Sequence, residues 1–470
     1  MGSPRGHSTP SAGKPCTWGR ARGDDTFGGE TLAGSTKSAE LTTTKLTRIA
    51  QMSRERPDCE LRWLMPHFNV ESLKSCFDEL DGKKAVGADG MSKDEYGQDV
   101  EARLQDLVDS MKALSYRPGP VREVLIPKEG RPGESRPLGI SNFEDKVVQK
   151  MTAKILEAIY EPTFRDCSYG FRPGRGCHTA IKALSSFLHK HDCEAVIDVD
   201  LRNYFGTIDH KTLVEILRRR IKDETFIRYI VRMLKSGILS DGELRMSDEG
   251  SPQGNVASPI LSNIYGHHVI DCWFEDIVKR HCTGRVELFR YCDDMVICCQ
   301  WRSDADRILT ALEGRLSKHS LSLNLDKTRL ISFDRNAFKR GERQESFDFL
   351  GFSFFLSRTK SGGVTAKLKT SRKRLRAKLG NVKSWLKRYR SRFRLKDLWR
   401  IFIKKLEGHV RYFGVSFNAP SVSEFIVRAK FLFFKWINRR SQKRSMNWSK
   451  FELFMRHYPP PKVRIYVPLY

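Results

Sequence analysis

The sequence predicts an α+β fold, in which one antiparallel sheet carries helices on one face and is followed by a basic helical region. Three observations carry that expectation. From Val70 to about Phe355, short β-branched or alternating runs are punctuated by helical patterns. From about Lys367 the pattern changes to long helices. The formal charge of +28 on 470 residues is also unevenly spread, because residues 361–470 hold 29 Lys and Arg against 4 Asp and Glu. A segment so basic, with aromatics interleaved, suits a phosphate-backbone partner better than a plain solvated surface or a membrane.

At 470 residues the chain exceeds the size at which one hydrophobic core stops growing, so several domains sharing interfaces are expected. No apolar run reaches the length that spans a bilayer, and the start lacks the charged, apolar and small-residue order of a signal peptide. That reads as a soluble intracellular protein. The eleven cysteines are scattered and odd in number, without the paired spacing of a zinc ribbon or a disulfide framework, and Cys299 is the last of them.

Residues 1–40, rich in Gly, Ser, Thr and Arg and without periodicity, read as a flexible leader. "EAVIDVDL" (194–201) reads as a buried strand, and "DHKTLVEILRRRI" after it as a helix capped by Asp209. "ELFRYC" and "MVICC" read as two strands joined at Asp293 and Asp294. Ser303 with Asp306 forms a capping box for a helix whose Ile308, Leu312 and Leu316 recur every four residues. "LSLNL" (321–325) alternates as a strand. Further on, Leu375, Leu379, Val382, Leu386 and Tyr389 make an apolar stripe at helical spacing. Beside it Lys373, Arg376, Lys383, Lys387, Arg390 and Arg394 make a basic stripe, the expected seat of a nucleic-acid backbone. Trp385, Trp399 and Trp436 read first as core and second as stacking partners for RNA bases.

Three stretches point to one site. "VDLRNYF" places Asp200 at a strand end, "GSPQGNVASPILSN" is a turn-rich loop entering a helix, and "YCDD" puts Asp293 and Asp294 at a hairpin. Carboxylates gathered in this way can hold two Mg²⁺ ions about 3.5 to 4 Å apart, the arrangement that serves phosphoryl transfer. Such ions need hard oxygen ligands, whereas cysteine sulfur is soft, so Cys292, Cys298 and Cys299 read as small buried strand residues with no ligand role. A lone pair of aspartates at a turn has a plain conformational explanation. The neighbouring motifs weigh against it.

In order along residues 70–470, these motifs resemble those of the group II intron reverse transcriptase/maturase family. "AVGADG" resembles its extra N-terminal block, while "IPKEGRPGESRPLGISNFEDKVVQ" and "SYGFRPGRGCHTAI" are similar to its fingers motifs. "DVDLRNYFGTIDH", "SPQGNVASPILSNIY", "RYCDDMVI" and "LNLDKTRLISF" resemble its palm motifs, "FDFLGFSF" the block leading into the thumb, and "NWSKFELFMRHYPPPKVRI" the end of the maturase domain. The resemblance implies a right-hand polymerase, with an N-terminal extension and fingers over 41–195, a palm over 196–355 and a helical thumb and maturase region over 356–470. It implies that Asp200, Asp293 and Asp294 are catalytic and bind two Mg²⁺ ions. Phe205 matches the steric gate that favours deoxynucleotides, with Tyr204 as the core residue of the pair. Gln253 matches a residue positioning nucleotide and template, Lys128 and Arg136 match basic groups gripping the triphosphate, and Lys327 matches a lysine near the leaving pyrophosphate.

The implied activity is RNA-directed DNA synthesis from dNTPs on a DNA primer, with intron RNA bound to assist splicing and mobility. Cytoplasmic, nucleoid-associated work in a bacterium is implied with it, and monomer and homodimer both stay open. The pattern departs from the family at Cys292, where alanine is usual, at Asn255, where glycine is usual, and at Gly206, where an acidic residue is usual. The absence of cysteine after Cys299 predicts no zinc-binding endonuclease domain. Two rival readings remain: an intron-free reverse transcriptase used in defence, CRISPR adaptation or DNA repair, and a splicing-only RNA-binding maturase.

Overall fold

A computed structural model describes residues 36–127, 133–240, 243–245, 249–250, 254–440 and 446–469. A four-stranded antiparallel sheet lies at its centre, in the order Val286–Tyr291, Asp294–Cys299, Ala195–Asp200, Arg329–Ser332. A second sheet pairs Val121–Pro127 with Ser135–Ile140 as a hairpin and adds Ile238–Ser240 in parallel and Glu243–Arg245 beyond it. A third, Phe347–Phe349 with Phe352–Arg358 and Val364–Thr370, spans the expected boundary at residues 355 and 356 between palm and thumb. After it come the helices Arg372–Tyr389, Leu395–Phe413, Ala419–Ile437 and Trp448–His457.

The central sheet is buried on both faces, not one. Ala195, Ile197, Val199, Met295, Ile297 and Cys299 join a core that includes Ile308, Leu312 and Leu316 of the helix Arg302–Ser317. Val196, Val296 and Cys298 join a second core with Ala180, Ile181 and Leu184 of the helix Cys177–Lys190, the third sheet and the C-terminal helices. The signal was present in "AVI" and "MVICC", because an unbroken apolar run in a short strand means burial on both sides.

Other local expectations meet different outcomes. Asp209 caps its helix as expected, accepting a hydrogen bond from the Thr212 N–H at 2.6 Å. Ser303 does not cap: the helix begins at Arg302, and Asp304 instead accepts from the N–H groups of Thr283 and Gly284 at 3.1 and 2.8 Å. "LSLNL" is not a strand; the edge strand is Arg329–Ser332, and Leu323 makes only an isolated bridge to Leu201. The helix Thr36–Glu55 starts within the last residues of the expected leader, whose residues 1–35 lie outside the described ones. Among the described residues, no helix is long and apolar enough to cross a membrane.

Candidate active site

Alternation along a strand sends every second side chain to one face. Asp200 therefore shares the face of Val196, Asp294 shares that of Val296 and Cys298, and the two aspartates stand directly opposite each other across the antiparallel pair. Their Cβ atoms are then about 5 Å apart by the geometry of such pairs. Tyr291 pairs with Asp294, so Cys292 and Asp293 form the two-residue tip of the hairpin. Asp293 is exposed there. The sequence-predicted carboxylates are thus brought together on one sheet end.

The tip is shaped from below. Cys292 adopts φ of +60°, a conformation costly to any residue with a Cβ, and is almost fully buried. Gly170 lies against it so closely that a Cβ there would stand 2.4 Å from Cys292 Sγ and 2.8 Å from its backbone nitrogen, which explains the glycine of "SYGF". Burial pushes the Cys292 thiol well above its ordinary range, and Cys298 and Cys299 are likewise buried, so none of the three presents a thiolate.

Beneath the tip lies Arg290, fully buried. Its Nε and Nη2 donate to the two carboxylate oxygens of Asp271 at 2.6 and 2.5 Å, Nη2 also donates to Ser168 Oγ at 2.9 Å, and Nη1 donates to the Cys292 carbonyl at 3.2 Å. Asp271 ends a π-helical turn, His267–Asp271, the kind of wide turn that often marks a functional site. The backbone completes the frame: Arg290 N–H donates to Cys167 O and Tyr169 N–H to Arg290 O, both at 2.8 Å, and Asn263 Nδ2 donates to Gly170 O at 2.7 Å. Sequence reasoning missed Arg290 and Asp271. The available signal was an arginine that alternation places on the same face as Val286 and Leu288, where an apolar residue is expected.

The carboxylates strain against one another. Dehydration, then Asp293 and Asp198, push the Asp294 carboxyl up to about 7, while the Leu350 N–H holds against that rise. Dehydration and the neighbouring Asp200 also raise Asp293. Lys327 answers part of this charge, donating to both Asp200 oxygens at 3.0 and 3.2 Å. Among the described residues, no group of three or more His, Cys, Asp and Glu side chains is drawn together as a metal site. With Lys327 acting as counter-ion to Asp200, the donor set still fits a hard cation in kind, since it is all oxygen and mutually repulsive.

The remaining candidate residues divide. Tyr204 is buried, its hydroxyl donating to Ser262 O at 2.7 Å, whereas Phe205 is only half-buried, at a T-shaped 5.5 Å from it. They lie in a 3-10 turn, not a strand, so the turn separates the two rings. Arg136 is exposed on the Ser135–Ile140 strand, paired with Ile126. Lys128 and Gln253 lie outside the described residues. Gly254, at φ of +120°, packs so tightly on Gly139 that a Cβ would stand 2.2 Å from its carbonyl oxygen. Asn255 is buried, accepting from the Ala257 N–H at 2.8 Å, and does not line an open face.

A cleft of about 1380 Å³ opens beside the site. Lys373, Arg376, Lys383 and Lys387 line it along the helix Arg372–Tyr389, facing Pro127, Gly133 and Asp348. Arg390 and Arg394 do not line it: Arg390 stands over the Trp436 ring at 5.0 Å and donates to the Arg439 carbonyl at 3.3 Å, and Arg394 precedes the next helix. Trp399 and Trp436 are buried core, and Trp385 is half-buried with Lys405 over its ring at 5.1 Å.

Residues 126–354, which carry the paired aspartates, match the family described as reverse transcriptase (RNA-dependent DNA polymerase). Protein YkfC of Escherichia coli is 33% identical over 316 residues, covering 60% of this chain and 78% of that protein. The group II intron-encoded protein LtrA of Lactococcus lactis is 36% identical over 225 residues, covering 48% of this chain and 37% of LtrA. Nuclear intron maturase 1 of Arabidopsis thaliana is 30% identical over 99 residues, 20% of this chain and 13% of that protein. The chain thus spans little more than a third of LtrA's length. It belongs to the group II intron reverse transcriptase/maturase family.

The buried pair sets a stability prediction. Arg290→Met strands the Asp271 charge and should cost about 3 to 5 kcal/mol. Chemical denaturation measures the loss, and the double variant Arg290→Met with Asp271→Leu should recover part of it. Equal stability of the single variant and wild type would remove the pair from its structural role.

Proposed function

We propose that this protein is an RNA-directed DNA polymerase that also binds group II intron RNA to assist splicing and mobility, acting in the bacterial cytoplasm at the nucleoid. The observation that carries the polymerase reading is the opposed pair Asp200 and Asp294, with Asp293 at the tip, near a cleft lined by cations: the Leu350 N–H donates to Asp294, and Asp348 and Ser353 to either side of Leu350 line the cleft. In this reading the central sheet is the palm, the Val121–Pro127 hairpin the fingers and the basic helix the thumb.

Asp200, Asp293 and Asp294 would hold the two Mg²⁺ ions, which supply Lewis-acid activation of the attacking and leaving oxygens. The chain's own groups do the rest. Asp200 and Asp294 can accept a hydrogen bond from the primer 3′-hydroxyl and so would orient it for in-line attack on the α-phosphate of a dNTP. Lys327, held at Asp200 by its 3.0 Å contact, would move toward the leaving pyrophosphate as that charge develops. Phe205, half-open beside Tyr204, would sit under the sugar and exclude a 2′-hydroxyl. Lys373, Arg376, Lys383 and Lys387 would follow the backbone of the primer and RNA template.

Primer extension on an RNA template tests the assignment. Asp293→Ala should abolish extension while Cys292→Ala, which keeps the same Cβ, retains most of it; extension surviving in the first variant would sink the site. Phe205→Ala should raise ribonucleotide incorporation by at least an order of magnitude, since removing the ring opens the space a 2′-hydroxyl needs. Unchanged sugar selectivity would return Phe205 to the core. Replacing Lys373, Arg376, Lys383 and Lys387 together with Gln should flatten the log-affinity against log-salt slope for nucleic acid by about 3. An unaltered slope would mean that the cleft does not track phosphates.

A further inference from the structure

The C-terminal helices form a smaller, open pocket that the polymerase reading leaves unused. It measures about 360 Å³ and lies between the helices Arg372–Tyr389 and Ala419–Ile437. Leu379 and Leu432 give it an apolar floor, Phe431 one wall, and Lys383, Arg428 and Lys435 a cationic rim. No acidic residue lines it among the described ones. Lys383 also lines the large cleft, so the two spaces meet at that side chain.

Phe431 is 54% exposed, unusual for a ring of its size in a helix that otherwise buries its aromatics. It is also held still. Trp448 stacks on it at 4.9 Å and 16°. Trp448 is fixed in turn, its Nε1 donating to Glu452 at 2.7 Å and its ring meeting Phe434 and Phe451 at 5.0 and 5.5 Å. A rigid, half-open aromatic ring with cations around it offers what an unpaired nucleotide needs: a face for the base and positive charge for the flanking phosphates. Arg428 is partly satisfied by Glu424 at 2.8 Å, so Lys383 and Lys435 carry more of the phosphate role.

Resting on the nucleic-acid reading above, we propose that this cavity receives one unpaired nucleotide, its base stacked on Phe431 and its phosphates held by Lys383 and Lys435. A strand running along the basic helix reaches the cavity at Lys383 and there turns one base out of its path. Recognition is by stacking and charge, so it tolerates any base.

The test uses the full chain and a short single-stranded RNA carrying 2-aminopurine, with a DNA oligonucleotide of the same sequence as the second arm. Stacking on Phe431 should quench the probe and support binding in at least one arm. Phe431→Ala should abolish that quench and weaken binding roughly 5- to 150-fold, the worth of one base–aromatic stack, with the salt slope preserved, and Phe431→Trp should restore both. Equal affinity and quench in Phe431→Ala and wild type, in both arms, would overturn the proposal, as would a Phe431-dependent attachment to anionic vesicles with no effect on either oligonucleotide. Wild-type primer extension separates the two readings. Extension in wild type beside an indifferent Phe431→Ala removes the pocket alone; neither extension nor oligonucleotide affinity in wild type removes the polymerase reading as well.

Discussion

The active-site hairpin stands on one buried ion pair. Arg290 and Asp271 are both withdrawn from water, a state that costs several kcal/mol per ion unless nearly every donor and acceptor is met. Here the requirement is met by groups from three separate stretches of chain: Asp271, the Cys292 carbonyl, and residues 167–169, which supply Ser168 Oγ and the paired backbone of Cys167 and Tyr169. The same contacts fix where the hairpin turns. A guanidinium is suited to this because its planar fork holds several acceptors in set directions, which an ammonium cannot do.

That frame explains why small residues cluster around the tip. Gly170 must approach Cys292 to within contact of its backbone, so a side chain at Gly170 would collide with the tip above it. The reactive appearance of "YCDD" therefore divides cleanly. Sulfur fills space under the turn, while Asp200, Asp293 and Asp294 gather at one end of the sheet.

How much of this could be read from the sequence follows from the range of the interactions. Asp200, Asp293 and Asp294 were legible because strand ends and hairpin tips have local signatures. The periodic core of Ile308, Leu312 and Leu316 was legible for the same reason. Arg290 was not, because its partner lies on a helix nineteen residues earlier in the chain and no local pattern joins them. "LSLNL" misled because its alternation comes from a loop folded back on the strand end, where the Asn324 N–H donates to Asp200 O at 2.8 Å, and not from pairing along an edge. Phe431 was hidden inside "FLFF", where composition says core and only the neighbouring helix decides which ring stays open.

The charge pattern of the chain follows from what the site must tolerate. Asp198, Asp200, Asp293 and Asp294 crowd one sheet end, and Asp348 on the cleft wall lies close enough to add to the rise of Asp198. An acidic cluster alone would repel a polyanion. The row of Lys373, Arg376, Lys383 and Lys387 across the cleft offsets that repulsion at a distance, leaving the carboxylates free to act on cations and reacting oxygens at short range. Lys327 makes the compromise local, since its ammonium stays with Asp200 until a stronger positive charge or a developing negative one draws it away. Basic cleft and acidic centre are thus one design: the first admits the backbone, and the second acts only on what the first has brought.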